Sequence, residues 1–274
     1  STHQRLGASL AEEMNAEFCG VVNRHFPDGE RYIRVLMDVA NQDVVVVQNT
    51  FPDKKIVELL LILEAVKEAG AKTVTCVIPY MGYSRQERVF QTGEARSARA
   101  IAGAIGAMCD RVFTINVHTP SILKFFGCEA NDINGSREVV RYLKGFKPQM
   151  VVAPDEGSRD RCTLAADLLK VPVHVMKKVR IDGRTVETTS GQVDVKGTTA
   201  VILDDIISTG GTIATAANIL RDGGAERVFA ACTHGLFIED AANRLRVCDD
   251  ILSSDTLEGV YTRFSVAPAI ADAL

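Results

Sequence analysis

VILDDIISTGGTI, residues 201–213, carries the reading of the fold. Val201–Leu203 is an apolar run of the kind that is buried on both faces of a parallel sheet. Two acids follow, Asp204 and Asp205, and then a turn, Ser208-Thr209-Gly210-Gly211-Thr212. Beyond the turn, Ile213, Ala216, Ala217 and Leu220 recur at helical spacing. The pattern is strand, turn, helix, with the glycines where the chain reverses. Glycine there allows unusual dihedrals and close backbone approach. The start of the helix offers free N–H groups and the positive end of its dipole, which suit a phosphate. The Ser208, Thr209 and Thr212 hydroxyls add donors, and carboxylates at a strand's carboxyl end suit sugar hydroxyls or a metal. No lysine follows the glycines, so this is not the GxxxxGK[ST] loop.

The same alternation extends in both directions. Residues 44–48, 73–79, 111–117, 149–154, 199–205 and 227–233 read as buried strands. Between the first two, Ile56, Leu59, Leu60, Leu63 and Val66 fall at helical spacing. Strands alternating with helices predict an α/β protein with mainly parallel sheets flanked by helices. EAGAKTVTCVIPY (68–80) has the layout of DGGAERVFAACTH (222–234), which predicts a duplicated unit. An ordinary preference for Gly at helix ends gives the same local match. The expected domains are 1–145 and 146–274, joined near Gly145–Gln149, with the last helix packing back on the first domain. The chain opens in a helix-like segment where such a domain would begin with a strand, so further residues are expected ahead of Ser1.

With 274 residues, 46% hydrophobic and 24% charged, the chain has the balance of a globular protein of two ordinary domains. A net charge of −4 gives no basic field for nucleic acid or polybasic run for a membrane surface, and no apolar stretch is long enough to span a bilayer. Seven scattered cysteines without a CxxC pair signal neither zinc nor a redox motif and predict a reducing, cytoplasmic setting.

Other segments carry chemistry more ambiguously. FPDGERYIR (26–34) contains standard turn residues. PYMGYSRQER (79–88) offers an arginine fork for phosphate and reads equally as a solvated charged turn. INVHTPSILKFFG (115–127) puts His118 at the end of an expected strand. In APDEGSRDR (153–161), Asp155 suits a helix amino end, and KKVRIDGRTVE (177–187) opens a long polar stretch with the character of a lid.

The segment 201–213 resembles the phosphoribosyl-pyrophosphate loop shared by type I phosphoribosyltransferases and phosphoribosyl pyrophosphate synthetases. Taken in order, the other segments resemble the synthetase family over nearly the whole chain, in its short archaeal-like form. The resemblance implies two tandem phosphoribosyltransferase-like domains, the first on the ATP side and making subunit contacts. It implies transfer of the β,γ-diphosphoryl group of ATP to the C1 hydroxyl of ribose 5-phosphate, with Mg2+. By the same resemblance, Phe26, Asp28 and Glu30 reach a neighbouring subunit's ATP site in a homodimer or larger homo-oligomer. Arg85, Gln86 and His118 also contact ATP, and His118 and Asp155 serve the metal. Asp204, Asp205, Ser208, Thr209, Gly210, Gly211 and Thr212 hold ribose 5-phosphate, and Lys178 and Arg180 form the catalytic pair. The departures from the family pattern are Arg96, Asn116, Asn131 and Ser158, which bear on a second metal site and on regulation. A type I phosphoribosyltransferase and a non-catalytic regulatory homologue are the competing readings.

Overall fold

The apolar runs become parallel strands in a computed structural model, which describes residues 4–180, 186–189 and 194–274, with the backbone alone at 177–180 and 186–189. The chain divides into two units, one of residues up to Asn134 together with Ala267–Leu274, the other Gly135–Val266.

The first unit begins with α1 (Gln4–Glu13) and an antiparallel ribbon, β1 (Val21–His25) and β2 (Arg31–Val35). A βα alternation follows: β3 (Asp43–Val47), α2 (Lys54–Glu68), β4 (Thr73–Ile78), α3 (Ser97–Gly106), β5 (Arg111–Ile115), a 3-10 turn at Pro120–Phe125, and β6 (Glu129–Ile133). These strands make a parallel sheet in the order β3-β4-β5-β6. Leu59, Leu63 and Val66 of α2 and Ile105 of α3 pack with Cys76, Ile78 and Val112 in its core. The ribbon adds two strands around the turn that the residues at 26–34 announce. Its strands are half-exposed, so they carry no continuous apolar run to announce them.

The end of α3 is pressed onto the chain behind it. A Cβ on Gly106 would lie 1.8 Å from the carbonyl oxygen of Phe126 and 2.6 Å from its carbon, and this neighbour is backbone that cannot rotate away. Gly106→Ala is therefore expected to destabilise the protein by about 3 kcal/mol or more, read from the urea unfolding midpoint at unchanged m-value.

The second unit runs α4 (Ser136–Leu143), β7 (Met150–Ala153), a 3-10 turn at Glu156–Ser158, α5 (Arg159–Leu169), β8 (Val173–Val175), β9 (Lys177–Arg180) and β10 (Val186–Thr189). It continues with β11 (Thr199–Ile207), α6 (Gly211–Asp222), β12 (Arg227–Gly235), α7 (Ala241–Arg244), β13 (Asp250–Ser254) and β14 (Thr262–Phe264). Six strands form a parallel sheet in the order β14-β13-β12-β11-β7-β8, and β9 and β10 form a separate antiparallel ribbon. Ile213, Ala216, Ala217 and Leu220 of α6 join one core cluster, and Val139, Val140 and Leu143 of α4 join a second with α5. The second cluster explains why the units divide ahead of α4 and not near Gly145–Gln149: the buried side of α4 packs with Val151, Ala153, Cys162 and Phe229. Helix α8 (Ala267–Ala271) belongs to the first unit, where it meets α1.

The two echoing segments occupy matching places, α2 into β4 and α6 into β12. Gly70 and Gly224 both turn the chain with positive φ, +80° and +88°. Among the described residues, no helix is long and apolar enough to cross a membrane.

Candidate active site

Strand β11 runs two residues further than the apolar pattern predicts. It pairs with β12 through Ile206↔His234 and Ile207↔Gly235, so Asp204 and Asp205 are followed by two further residues of strand. The turn comes at Ser208 and Thr209. Gly210 caps α6 in the left-handed conformation, φ +75°, where a side chain would be strained and would also meet Leu245. The Ala214 amide donates to the Gly210 carbonyl as the first helical bond. Arg244 Nη1 donates to the Thr209 carbonyl oxygen at 3.0 Å, tying this loop to α7. The first amides of α6 have no carbonyl acceptor within their own helix, which is the arrangement that favours an anion.

Strand β7 lies beside β11, and the segment after it supplies Asp155, Ser158 and Arg161. Asp155 caps the 3-10 turn, accepting from the Gly157 amide at 3.1 Å. Ser158 Oγ donates to Asp204 Oδ1 at 2.6 Å. Arg161 spans both acids, with Nη1 3.4 Å from Asp204 Oδ1 and Nη2 3.3 Å from Asp205 Oδ2. Ser158 and Arg161 were given no role by the sequence reading. The signal available for them was their spacing of three from Asp155 and from each other at the start of a helix. What that spacing does not disclose is a partner more than 40 residues away.

Burial and the adjacent Asp205 carboxylate push the Asp204 carboxyl up to about 7, against the pull of Ser158 and Arg161. Its ordinary value is 3.8, so the unfolded chain ionises first as pH rises. This group's contribution to stability is then lost progressively from about pH 4 to about pH 7 and is constant above. Asp204→Asn is therefore expected to gain thermal stability relative to the unaltered protein across that window, measured without ligands at fixed ionic strength.

In the first unit, Arg85 and Gln86 line an open cavity of about 500 Å³ with Phe51, Tyr80, Tyr83 and Phe90. Its wall is set by close contacts. A Cβ on Gly82 would fall 2.7 Å from the Thr50 carbonyl oxygen, and Tyr83 Oη donates to Asp53 Oδ1 at 2.7 Å. Gln86 Oε1 accepts from Ser97 Oγ at 2.9 Å, while Arg85 is exposed. Aromatic walls with an arginine and an amide suit a planar base joined to phosphates.

His118 stands three residues beyond the end of β5, exposed in the loop that follows. The strand stops at Ile115 because Asn116 turns left-handed, φ +43°, and Asp132 Oδ1 then holds the Val117 amide at 2.9 Å. On the ribbon, Gly29 makes the reversal, φ +94°. Asp28 Oδ1 accepts from the Glu30 amide at 3.0 Å, and Phe26 is exposed with its ring edge-on to Tyr32 at 5.6 Å. Lys178 and Arg180 lie on β9, where Lys178 pairs with Thr188 and Arg180 with Val186; their side chains lie outside the described residues. The polar stretch read as a lid falls partly outside them as well, at 181–185 and 190–193.

Among the described residues, no three His, Cys, Asp or Glu side chains group to hold a metal. A single half-buried carboxylate such as Asp155 does fit Mg2+, which keeps several waters and is usually bound through one or two carboxylates and substrate phosphates.

A family model for the N-terminal domain of ribose phosphate pyrophosphokinase matches residues 1–108, and one for the phosphoribosyl transferase domain matches 134–266. The ribose-phosphate pyrophosphokinase of Methanopyrus kandleri is 40% identical, over 98% of this chain and 95% of its own length. The chain belongs to the ribose-phosphate pyrophosphokinase family. The enzyme of that name from Methanothermobacter thermautotrophicus is 38% identical over 100% of this chain and 98% of its own length. The crystal structure of phosphoribosylpyrophosphate synthetase from Mycobacterium smegmatis superposes with a TM-score of 0.85 at 29% identity, covering 99% of this chain and 94% of that one. The two α/β units are thus phosphoribosyltransferase-like domains of a pyrophosphokinase. The departures from the ribose-phosphate pyrophosphokinase pattern noted in the sequence have local functions here. Ser158 bonds Asp204, Asn116 takes a left-handed turn that asparagine tolerates, Arg96 lies 6.0 Å from the Phe125 ring centroid, and Asn131 donates to Glu129 Oε1 at 3.3 Å.

Proposed function

We propose that this protein transfers the β,γ-diphosphoryl group of ATP to the C1 hydroxyl of ribose 5-phosphate, giving 5-phosphoribosyl 1-pyrophosphate and AMP. The observation that carries this reading is the joining of two features in one chain. One is the acid pair Asp204–Asp205 running into the Gly210-capped amino end of α6, and the other is a first unit with an aromatic and arginine-lined cavity. A phosphoribosyltransferase uses the same loop but leaves the first unit without a task.

In this reading the 5-phosphate of the sugar rests on residues 208–212, receiving the α6 amides and the hydroxyls of Ser208, Thr209 and Thr212. Asp204 and Asp205 accept hydrogen bonds from the ring hydroxyls, with Ser158 and Arg161 keeping both carboxylates in place. Arg85, Gln86 and His118 take the nucleotide, and Phe26, Asp28 and Glu30 on the ribbon complete the ATP site of a neighbouring copy in a homodimer or larger assembly. The sugar C1 hydroxyl attacks the β-phosphorus in line, its proton passing to solvent and its oxygen–phosphorus bond forming as the bridge to the α-phosphate breaks and AMP leaves. Lys178 and Arg180 neutralise charge building on the equatorial oxygens of the transferring group. Mg2+, held through Asp155 and the substrate oxygens, supplies charge neutralisation and alignment of the polyphosphate. Most of the acceleration is positioning and electrostatics, with no covalent enzyme intermediate. Seven free cysteines and phosphorylated substrates agree with a cytoplasmic setting.

The test is AMP release from ATP in Mg2+ with and without ribose 5-phosphate. Sugar-dependent AMP supports the reading. Its absence from folded protein over a range of phosphate and metal concentrations overturns it in favour of a regulatory homologue.

A further inference from the structure

A buried polar cluster fastens the β1–β2 ribbon to the body of the first unit, and none of the roles assigned above uses it. Glu58, in the second turn of α2, has no solvent exposure, and neither has Gln48; Lys55 is 6% exposed. Lys55 Nζ donates to the two Glu58 oxygens at 3.0 and 2.8 Å, and Gln48 Nε2 donates to Oε1 at 2.6 Å. The remaining partners come from the ribbon. Arg31 Nη1 stands 3.7 Å from Glu58 Oε2 and donates to Asn23 Oδ1 at 2.7 Å. Asn23 is thereby linked to the carboxylate through Arg31. Asn23 and Arg31 belong to opposite strands and are diagonal neighbours in the ladder, since Asn23 pairs with Ile33 and Arg31 with His25. One carboxylate therefore grips both strands of the ribbon, the first turn of α2, and the residue that follows β3.

The grip continues toward the cavity. Gln48 is followed by Asn49, whose Oδ1 accepts from the Tyr80 amide at 2.7 Å, and by Thr50, whose Oγ1 accepts from the Gly82 amide at 2.7 Å. Tyr80 and Gly82 belong to the wall that carries Arg85 and Gln86. Burying Glu58 raises its carboxyl, but the hydrogen bonds and charge of Lys55, with the bond from Gln48, outweigh that and hold it below the usual carboxylate range, so it is the ion that the cluster contains. A buried ion pair is a poor source of stability, because its desolvation consumes most of its attraction and an apolar pair of equal volume does as well. Its better-attested use is to fix a register or an orientation.

We propose that Glu58 is a positioning residue for the nucleotide, fixing the angle at which the ribbon presents Phe26, Asp28 and Glu30. The assignment rests on the function proposed above, in which those three residues meet ATP.

The full chain is compared with Glu58→Gln and with the double variant Lys55→Met/Glu58→Gln, by amide hydrogen exchange and by steady-state kinetics. Glu58→Gln is expected to raise exchange over residues 21–35 about tenfold while β4 and β5 hold their protection. The KM for ATP rises about tenfold and that for ribose 5-phosphate changes less than about twofold. The double variant removes the ammonium left without a partner, so it regains melting temperature, yet ribbon exchange and the KM for ATP stay raised. If the KM for ATP recovers together with the melting temperature, Glu58 serves charge balance alone and the assignment fails. Unchanged ribbon exchange in an active Glu58→Gln protein also overturns it. If Glu58→Gln does not fold, the double variant carries both readouts. Absence of sugar-dependent AMP release by the unaltered protein removes the reading beneath it, an outcome distinct from either of the others.

Discussion

Lys178→Ala is expected to lower kcat for sugar-dependent AMP release about a thousandfold, with KM for both substrates within a few-fold of the unaltered protein. A cation aimed at the oxygens of a transferring phosphoryl group does little in the ground state and gains as charge redistributes in the transition state, so its loss falls on kcat and kcat/KM alike. The position is held by a ladder, since Lys178 pairs with Thr188 across β9 and β10 and Arg180 pairs with Val186. Neither residue belongs to the six-stranded core sheet, so the substitution should leave the far-ultraviolet spectrum and melting temperature unchanged. Arg180→Lys tests the second cation more finely, because an ammonium keeps the charge and loses the planar fork. A Lys178→Ala protein with unaltered kcat would sink the assignment.

The second large effect is on the sugar. Asp204→Asn/Asp205→Asn is expected to reduce kcat/KM for ribose 5-phosphate by about a hundredfold to a thousandfold, because a site built to bond hydroxyl groups is left with weaker acceptors and an unpaired Arg161. 2-Deoxyribose 5-phosphate makes the argument specific. With the unaltered protein the missing hydroxyl should cost a comparable factor, and with the double variant it should cost little more. If the two losses instead multiply in full, the acids act somewhere other than on the ring hydroxyls. The measurement is the double comparison of kcat/KM for both sugars in both proteins.

The core strands were legible because a parallel sheet covered on both faces requires continuous apolar runs, which 44–48, 73–79 and 199–205 supply. Their ends were not. β11 continues through Ile207 because β12 offers a pairing partner that far, a fact held in a different part of the chain. The ribbon was hidden for a related reason: VVNRH and RYIRV mix apolar and polar residues on half-exposed strands, so only the Pro27-Asp28-Gly29 turn between them was visible. The turn into α6 could be read directly, since a left-handed cap at Gly210 is a demand that the backbone places on residue type. The bonds from Ser158 and Arg161 to the acids could not, because no local pattern encodes a contact between residues 158 and 204. Lys178, Arg180 and Phe26 drew their roles from resemblance alone, as cations in a polar run and an aromatic beside a turn have no periodicity to betray them.

Helix α8 packs with α1 in the first unit, where Leu6, Leu10 and Ile270 are all buried, while the second unit is a single unbroken stretch from Gly135 to Val266. On the ribosome these two arrangements have opposite timing. The second unit has all of its chain once Val266 emerges, and can close while synthesis continues. The first unit starts earlier and finishes later, because α1 lacks its partner helix until α8 has been made. The half of the protein that is synthesised first is therefore the half that completes its core last, and a nascent chain halted just short of Ala267 would hold a finished second unit and a first unit still open at its first helix.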